Sequence, residues 1–226
     1  MVKVFYMNYL FIALCCIFLS FGHTVFSYEN IEIIPHPIQS KERYDLMKTY
    51  ANQHYGLNHA NLIDPKMIVV HFTGISSLQA SLRTFDPARI PPHRQSLEAY
   101  GDVNVGVHFL IDYDGTIYSL LPLHLMGRHT IGYNYTAIGI ENVGSELTIK
   151  QSKATVHLIR YLVDRLPSIE FLIGHMEYMN QTYPHFELYT ALDKDYEPNI
   201  KIDPGFETMK GIRLQLEKKY KIFLKK

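Results

Sequence analysis

Tryptophan is absent from this sequence, and its only two cysteines, Cys15 and Cys16, are adjacent near the start. The rest of the chain therefore has no thiol for a disulfide framework, and any metal it binds must be held by His, Asp or Glu. Neither charge is in excess. Basic and acidic residues both number 22, for a formal net charge of +0, which removes the electrostatic case for nucleic acid. There is no internal repeat and no low-complexity tract. Aromatic content rests on 17 Tyr and 12 Phe, and a tyrosine-rich surface without tryptophan suits polar ligands such as sugars and peptides. With 226 residues, 47% of them apolar, the chain can bury the core of one domain.

Long apolar runs are also scarce. Tyr9–Phe21 is the main one, and it follows Lys3. It is short for a membrane span and sized for the apolar part of a signal peptide. Val25-Phe26-Ser27 places modest side chains before a cleavage expected after Ser27. The alternative is an uncleaved N-terminal anchor. A lipoprotein reading of Cys15 is disfavoured by Leu14, which stands where a small residue is wanted. The expected product is an exported chain, periplasmic or secreted, with no membrane span once mature. Its lack of cysteine favours a bacterial source.

Past the leader, residues 28–62 read as an N-terminal extension, extended around Ile33, Ile34 and Ile38 and laid on the surface, then helical over Ser40–Tyr55. Met67–Thr73 is a strand whose β-branched run implies burial on both faces, broken by His71. Ser76 is placed to cap a helix over Ser77–Phe85. Val103–Asp112 and Thr116–Leu121 form a hairpin about Asp114-Gly115, with His108 as a structural histidine. Ala137–Val143 is a third core strand, in which Gly139 and Glu141 share the face opposite Ile138 and Ile140. Gly139 leaves room there for a close ligand. Val156, Ile159, Leu162 and Val163 make the apolar face of a helix over Ser152–Leu166, stopped by Pro167. A short strand ends at Phe171-Leu-Ile-Gly-His175. Met176–Ile200 is long and irregular, and Phe206–Leu224 reads as a terminal helix.

Three candidate ligands then stand at the ends of elements: His71, His175 and Asp203. Lys201 lies two residues before Asp203, so both side chains point the same way in an extended chain. Two imidazoles and one carboxylate leave zinc an open fourth position and lower the pKa of a water there to about 7. Glu141, a carboxylate in an apolar strand, is held near a cation or sits at the strand end. In such a site it serves as general base, then as acid to the leaving amine. Lys201 stabilises the oxyanion of the tetrahedral intermediate. Together they form a kit for amide hydrolysis.

The sequence resembles the zinc-dependent N-acetylmuramoyl-L-alanine amidases of type 2, a family that includes AmpD-like enzymes and the peptidoglycan recognition proteins. The resemblance spans about Ile63 to Phe206. It rests on five ordered blocks: Ile68-Val-Val-His71, Val107-His-Phe-Leu-Ile-Asp-Tyr-Asp-Gly115, Ile138-Gly-Ile-Glu141, Gly174-His175 and Lys201-Ile-Asp-Pro-Gly205. It implies a single α/β domain over 63–226, a central mixed β-sheet flanked by helices with a zinc groove on one face, and a C-terminal helix. It implies one Zn2+ on His71, His175 and Asp203, with Glu141 and Lys201 as catalytic residues and peptidoglycan or muropeptides as partners. Arg128-His129-Thr-Ile-Gly132 resembles the family's aromatic-His-Ala-Gly loop, so His129 and Arg128 are candidates to line the substrate groove. The chain departs from the family in the length of the segment from His175 to Asp203, and in Val107, where some members carry tyrosine.

Two other function classes stay open on sequence. One is a non-catalytic wall-binding protein, although inactive recognition proteins on this fold typically lose a metal ligand and all three positions here carry ligand-type residues. The other is a zinc peptidase acting on a different amide. The plainest reading, in which His71 and His175 are core histidines and Asp203 a turn residue, leaves Glu141 and Lys201 to coincidence.

Overall fold

A computed structural model describes residues 31–193, 195 and 198–226. The apolar leader, Cys15, Cys16 and the cleavage point after Ser27 lie outside the described residues. Among those described, no helix is long and apolar enough to cross a membrane.

The sheet is built around β2 (Met67–Phe72), whose Met-Ile-Val-Val run is fully buried. A strand apolar at every position needs neighbours on both edges and cover on both faces. β2 has them: β5 (Ala137–Asn142) and β6 (Phe171–Gly174) both pair parallel to it. The full order is β1-β4-β3-β5-β2-β6. β3 (Phe109–Ile111) is parallel to β5, β4 (Ile117–Ser119) is antiparallel to β3, and β1 (Ile33–Pro35) is parallel to β4. The result is one α/β unit with a central mixed six-stranded sheet. Helices α1 (Lys41–Tyr55), α2 (Leu78–Phe85), α3 (Ile149–Arg165) and α4 (Phe206–Gln215) accompany it, with α3 contacting β3 and α4 contacting β6.

Local chemistry sets the helix ends. Ser40 Oγ accepts from the Arg43 N–H at the start of α1, and Gly56 closes it in the left-handed region at φ 69°. α2 is capped by Ser77 rather than Ser76. α3 begins at Ile149, earlier than the apolar spacing indicates, because Thr148 and Gln151 form a reciprocal capping box. The terminal helix is shorter than expected. After α4 the chain makes a π-helical turn over Leu216–Tyr220 and stops at Lys221, which is left-handed at φ 57°.

Two expectations about strands are corrected. The piece around Ile33 and Ile34 is not merely laid on the surface. It is edge strand β1, where Pro35 is tolerated because an edge position need not donate on both sides. The Val103–Asp112 strand shrinks to Phe109–Ile111, because buried arginines take the carbonyls a ladder would need. Arg128 donates to Val103 O (2.7 Å), and Arg43 donates to Asn104 O and Val105 O (both 3.4 Å).

His108 is structural, as expected. It is fully buried; Nε2–H donates to Leu125 O (2.8 Å) and Nδ1 accepts from Gly139 N–H (3.0 Å). Only the neutral ring satisfies both bonds, and burial pushes its pKa down to about 4 from 6.5. The unfolded ring takes up a proton at a higher pH than the folded one. The stabilisation is therefore complete above pH 6.5 and is lost as pH falls through about 4. His175 and Glu141 also titrate in this range, so the His108 part is expected as a shallower pH dependence of unfolding free energy in His108→Gln than in the wild type; identical slopes would contradict this assignment.

Candidate metal centre

The parallel core places the candidate site residues at the C-terminal ends of adjacent strands, where open α/β sheets carry their sites. His71 is the penultimate residue of β2 and Glu141 that of β5, and the register sets them directly opposite each other. His175 is the first residue beyond β6 and opens a short 3-10 turn, His175–Glu177. Asp203 returns from an excursion of 28 residues and is clipped to the strand end by Met176 N–H donating to Asp203 O (2.8 Å).

These elements bring together the three ligand candidates named from the sequence. One donor atom each from His71, His175 and Asp203 lies within 4.8 Å of the others. Asp203 Oδ2 is 3.3 Å from His175 Nδ1 and 3.6 Å from His71 Nδ1. The imidazole centroids are 4.4 Å apart at 67°. Asp203 Oδ2 also accepts weakly from Phe72 N–H (3.4 Å). Burial alone would raise the Asp203 carboxyl, but the bonds from His175 and His71 hold it far below the usual carboxylate range. Burial pushes His175 down to about 4, with the neighbouring His71 adding to it. At neutral pH the cluster thus offers a neutral imidazole at His175 and an anionic carboxylate at Asp203, the forms in which these side chains bind a metal. A closed set of two nitrogens and one oxygen fits zinc with a position left open.

The far edge of the His71 ring is also held. Its Nε2 lies 3.1 Å from His129 Nδ1 and 3.5 Å from Thr130 Oγ1. His129 is fixed in turn: Asn134 Oδ1 accepts from both the His129 and Thr130 N–H groups, and Asn134 Nδ2 donates to Tyr50 OH (3.1 Å). The space beside Gly139, expected to admit a ligand, is filled by this ring. A Cβ at Gly139 would stand 2.9 Å from it. His129 thus backs the first metal-ligand candidate, an outer partner of the kind that fixes imidazole tautomer and orientation at metal sites. Burial holds its own pKa well below the ordinary histidine value.

Glu141 is the base candidate named from the sequence. Its Oε2 is shielded from solvent and has no hydrogen-bond partner. Burial, aided by repulsion from Asp203 and opposed by His71 and Arg94, raises its pKa to about 7. Lys201 is half-buried nearby; burial lowers its pKa while Asp203 acts to raise it.

Arg128 corrects an expectation. It is 3% exposed, its guanidinium donates to Leu97 O (2.9 Å), Gly101 O (2.8 Å) and Val103 O, and it stacks over Tyr50 at 4.9 Å. All that chemistry is turned inward, so Arg128 pins the 97–103 segment and does not face a substrate. Sequence reasoning also missed Glu177 and Arg213. Glu177 is buried, accepts from Gly174 N–H (2.9 Å) and pairs with Arg213, which also donates to Leu172 O (2.9 Å). The pair holds the end of β6 from which His175 emerges. The signal available was a glutamate two residues beyond a candidate ligand, which spacing alone does not separate from a surface residue.

Comparison with known proteins now decides the family. A family model described as N-acetylmuramoyl-L-alanine amidase matches residues 61–205, which contain every residue of the cluster. The chain belongs to this amidase family. Among curated relatives it is 26% identical over 140 residues to human peptidoglycan recognition protein 3, covering 58% of this chain and 40% of that protein. It is 26% identical over 110 residues to human N-acetylmuramoyl-L-alanine amidase, covering 44% of this chain and 18% of that one. The chain thus spans less than half the length of either. A selenomethionine derivative of AmpD has the same fold, with a TM-score of 0.50 and 20% identity over 81% of this chain and 95% of AmpD.

Proposed function

We propose that the protein is an exported, zinc-dependent N-acetylmuramoyl-L-alanine amidase. It hydrolyses the amide between N-acetylmuramic acid and the L-alanine of a peptidoglycan stem peptide. The observation that carries this reading is the meeting of His71, His175 and Asp203 beside Glu141, inside the region the amidase family model matches. When bound by these three, zinc supplies Lewis-acid polarisation of the scissile carbonyl and lowers the pKa of the attacking water.

The protein's own groups supply the rest. Glu141 Oε takes the proton of the attacking water and later delivers it to the leaving L-alanine nitrogen, a task suited to a carboxyl that burial makes readier to hold a proton. Lys201 offers a cation to the carbonyl oxygen as it gains negative charge. His129 and Thr130 keep the His71 ring oriented. The similarity to a recognition protein raises a second reading, binding of peptidoglycan without cleavage. A complete ligand set beside an unpartnered, shielded glutamate favours the hydrolase, since a binding module has no use for that carboxylate's desolvation.

The test is zinc content of the purified protein together with release of L-alanine amino termini from muropeptides, with and without chelator. One equivalent of zinc and chelator-sensitive release are expected. Zinc without release would leave the binding reading in place; absence of both would refute the metal centre.

A further inference from the structure

The arm 199–203, at the end of the long excursion, carries Lys201 and Asp203 back to the metal centre with little packing to hold it. Its two apolar side chains lie in solvent, Ile200 at 95% exposure and Ile202 at 85%. An irregular segment that buries so little apolar surface gains little from the hydrophobic effect against the backbone freedom it gives up. Its place then depends on hydrogen bonds. Two reach its backbone from the turn that follows β6: Met176 N–H donates to Asp203 O (2.8 Å), and Tyr178 OH donates to Asn199 O (2.6 Å). The two contacts flank Lys201.

Tyr178 is itself firmly held. It is buried, its N–H donates to His175 O (3.2 Å), and its carbonyl accepts from Tyr133 OH (2.9 Å). Its ring centroid lies 5.4 Å from that of the His175 imidazole. A buried phenol needs a partner for its hydroxyl, and the one it finds is the carbonyl of an exposed residue on the arm. One residue thus touches His175, a ligand candidate, and the arm that delivers another, Asp203.

We propose that Tyr178 is a positioning residue of the metal centre. Its hydroxyl clasps the arm at Asn199 and so fixes how Asp203 and Lys201 stand against His175. Without the clasp the arm is less ordered before a metal arrives, and part of the binding free energy goes into ordering it. The clasp rests on the metal-centre reading for its effect on zinc, but not for its hold on the arm.

Tyr178→Phe keeps the ring and its packing and removes the hydroxyl. Zinc affinity is measured by competition with a chromogenic chelator. Opening of the arm is measured in zinc-free protein as the rate of tryptic cleavage after Lys201, followed by mass spectrometry. Tyr178→Phe is expected to bind zinc about 5- to 10-fold more weakly, the effect of one hydrogen bond, and to be cut after Lys201 faster by a similar factor. Tyr135→Phe is the control, because its hydroxyl donates to Leu188 O (2.5 Å) in the same long loop but away from the arm. It should leave both readouts at the wild-type value. Unchanged zinc affinity or unchanged cleavage in Tyr178→Phe, or equal changes in Tyr135→Phe, would overturn the clasp. A wild type that binds no zinc would refute the metal centre instead, and the cleavage rates would then decide the clasp alone.

Discussion

Asp203→Ala is expected to abolish zinc binding and turnover together, leaving a folded protein. Asp203 is the only anion among the three ligand candidates, and its Oδ2 stands between the Nδ1 atoms of His71 and His175. Without it a divalent ion faces two imidazoles and an uncompensated charge, in surroundings dry enough to depress His175. Zinc stoichiometry should fall from one to near zero at micromolar free zinc, and amide cleavage should fall to background. Circular dichroism checks the fold, because Asp203 also accepts from Phe72 N–H. His71→Ala and His175→Ala should behave alike. One full equivalent of zinc in Asp203→Ala would show that the ligand set has been misread.

Glu141→Gln separates chemistry from metal binding. The amide keeps the shape of the side chain but cannot take a proton. Zinc content should stay at one equivalent while kcat falls roughly 10²–10⁴-fold, the usual contribution of a positioned acid–base group. The wild-type pH profile should share this origin. Burial holds Glu141 protonated up to about pH 7 in the metal-free protein, so activity should rise with pH as the base ionises. The charge of a bound ion moves that limb downward. A Glu141→Gln variant with wild-type turnover would remove Glu141 from the mechanism.

Some of this architecture was legible in the sequence because the signals were local. The β-branched run of β2, the alternation in β5, the apolar stripe of α3 and the turn at Asp114-Gly115 each carry their own pattern. The ligand candidates were legible for a related reason: His71, His175 and Asp203 interrupt or end apolar extended segments, where a polar side chain is conspicuous. What was hidden depends on contacts between distant residues. Nothing near Val103 announces that Arg43 and Arg128 will take the carbonyls of the 103–105 segment and end the strand early. Nothing near Ile33 announces a parallel partner at Ile117. Arg94 lies among prolines and polar residues, and nothing there announces that its Nη1 will be shielded from solvent without a hydrogen-bond partner. The loop motif led to His129 but suggested the wrong neighbour, since the ring backs His71 instead of lying open in a groove.

The pairing of His71 with Glu141 across two central strands has a consequence for how such a protein can change. Their separation is set by backbone ladder spacing, about 4.8 Å, and a slip of one residue in either strand would turn that strand's side chain to the opposite face. That half of the centre is inherited as a unit. Asp203 and Lys201, in contrast, arrive on the returning arm of a long loop, anchored at its end by Met176 N–H. Grafting a different segment between Tyr178 and Asn199 would therefore reshape access and affinity on one side while Glu141 and its facing imidazole keep their spacing. Diversification of this scaffold has a fixed jaw and an adjustable one.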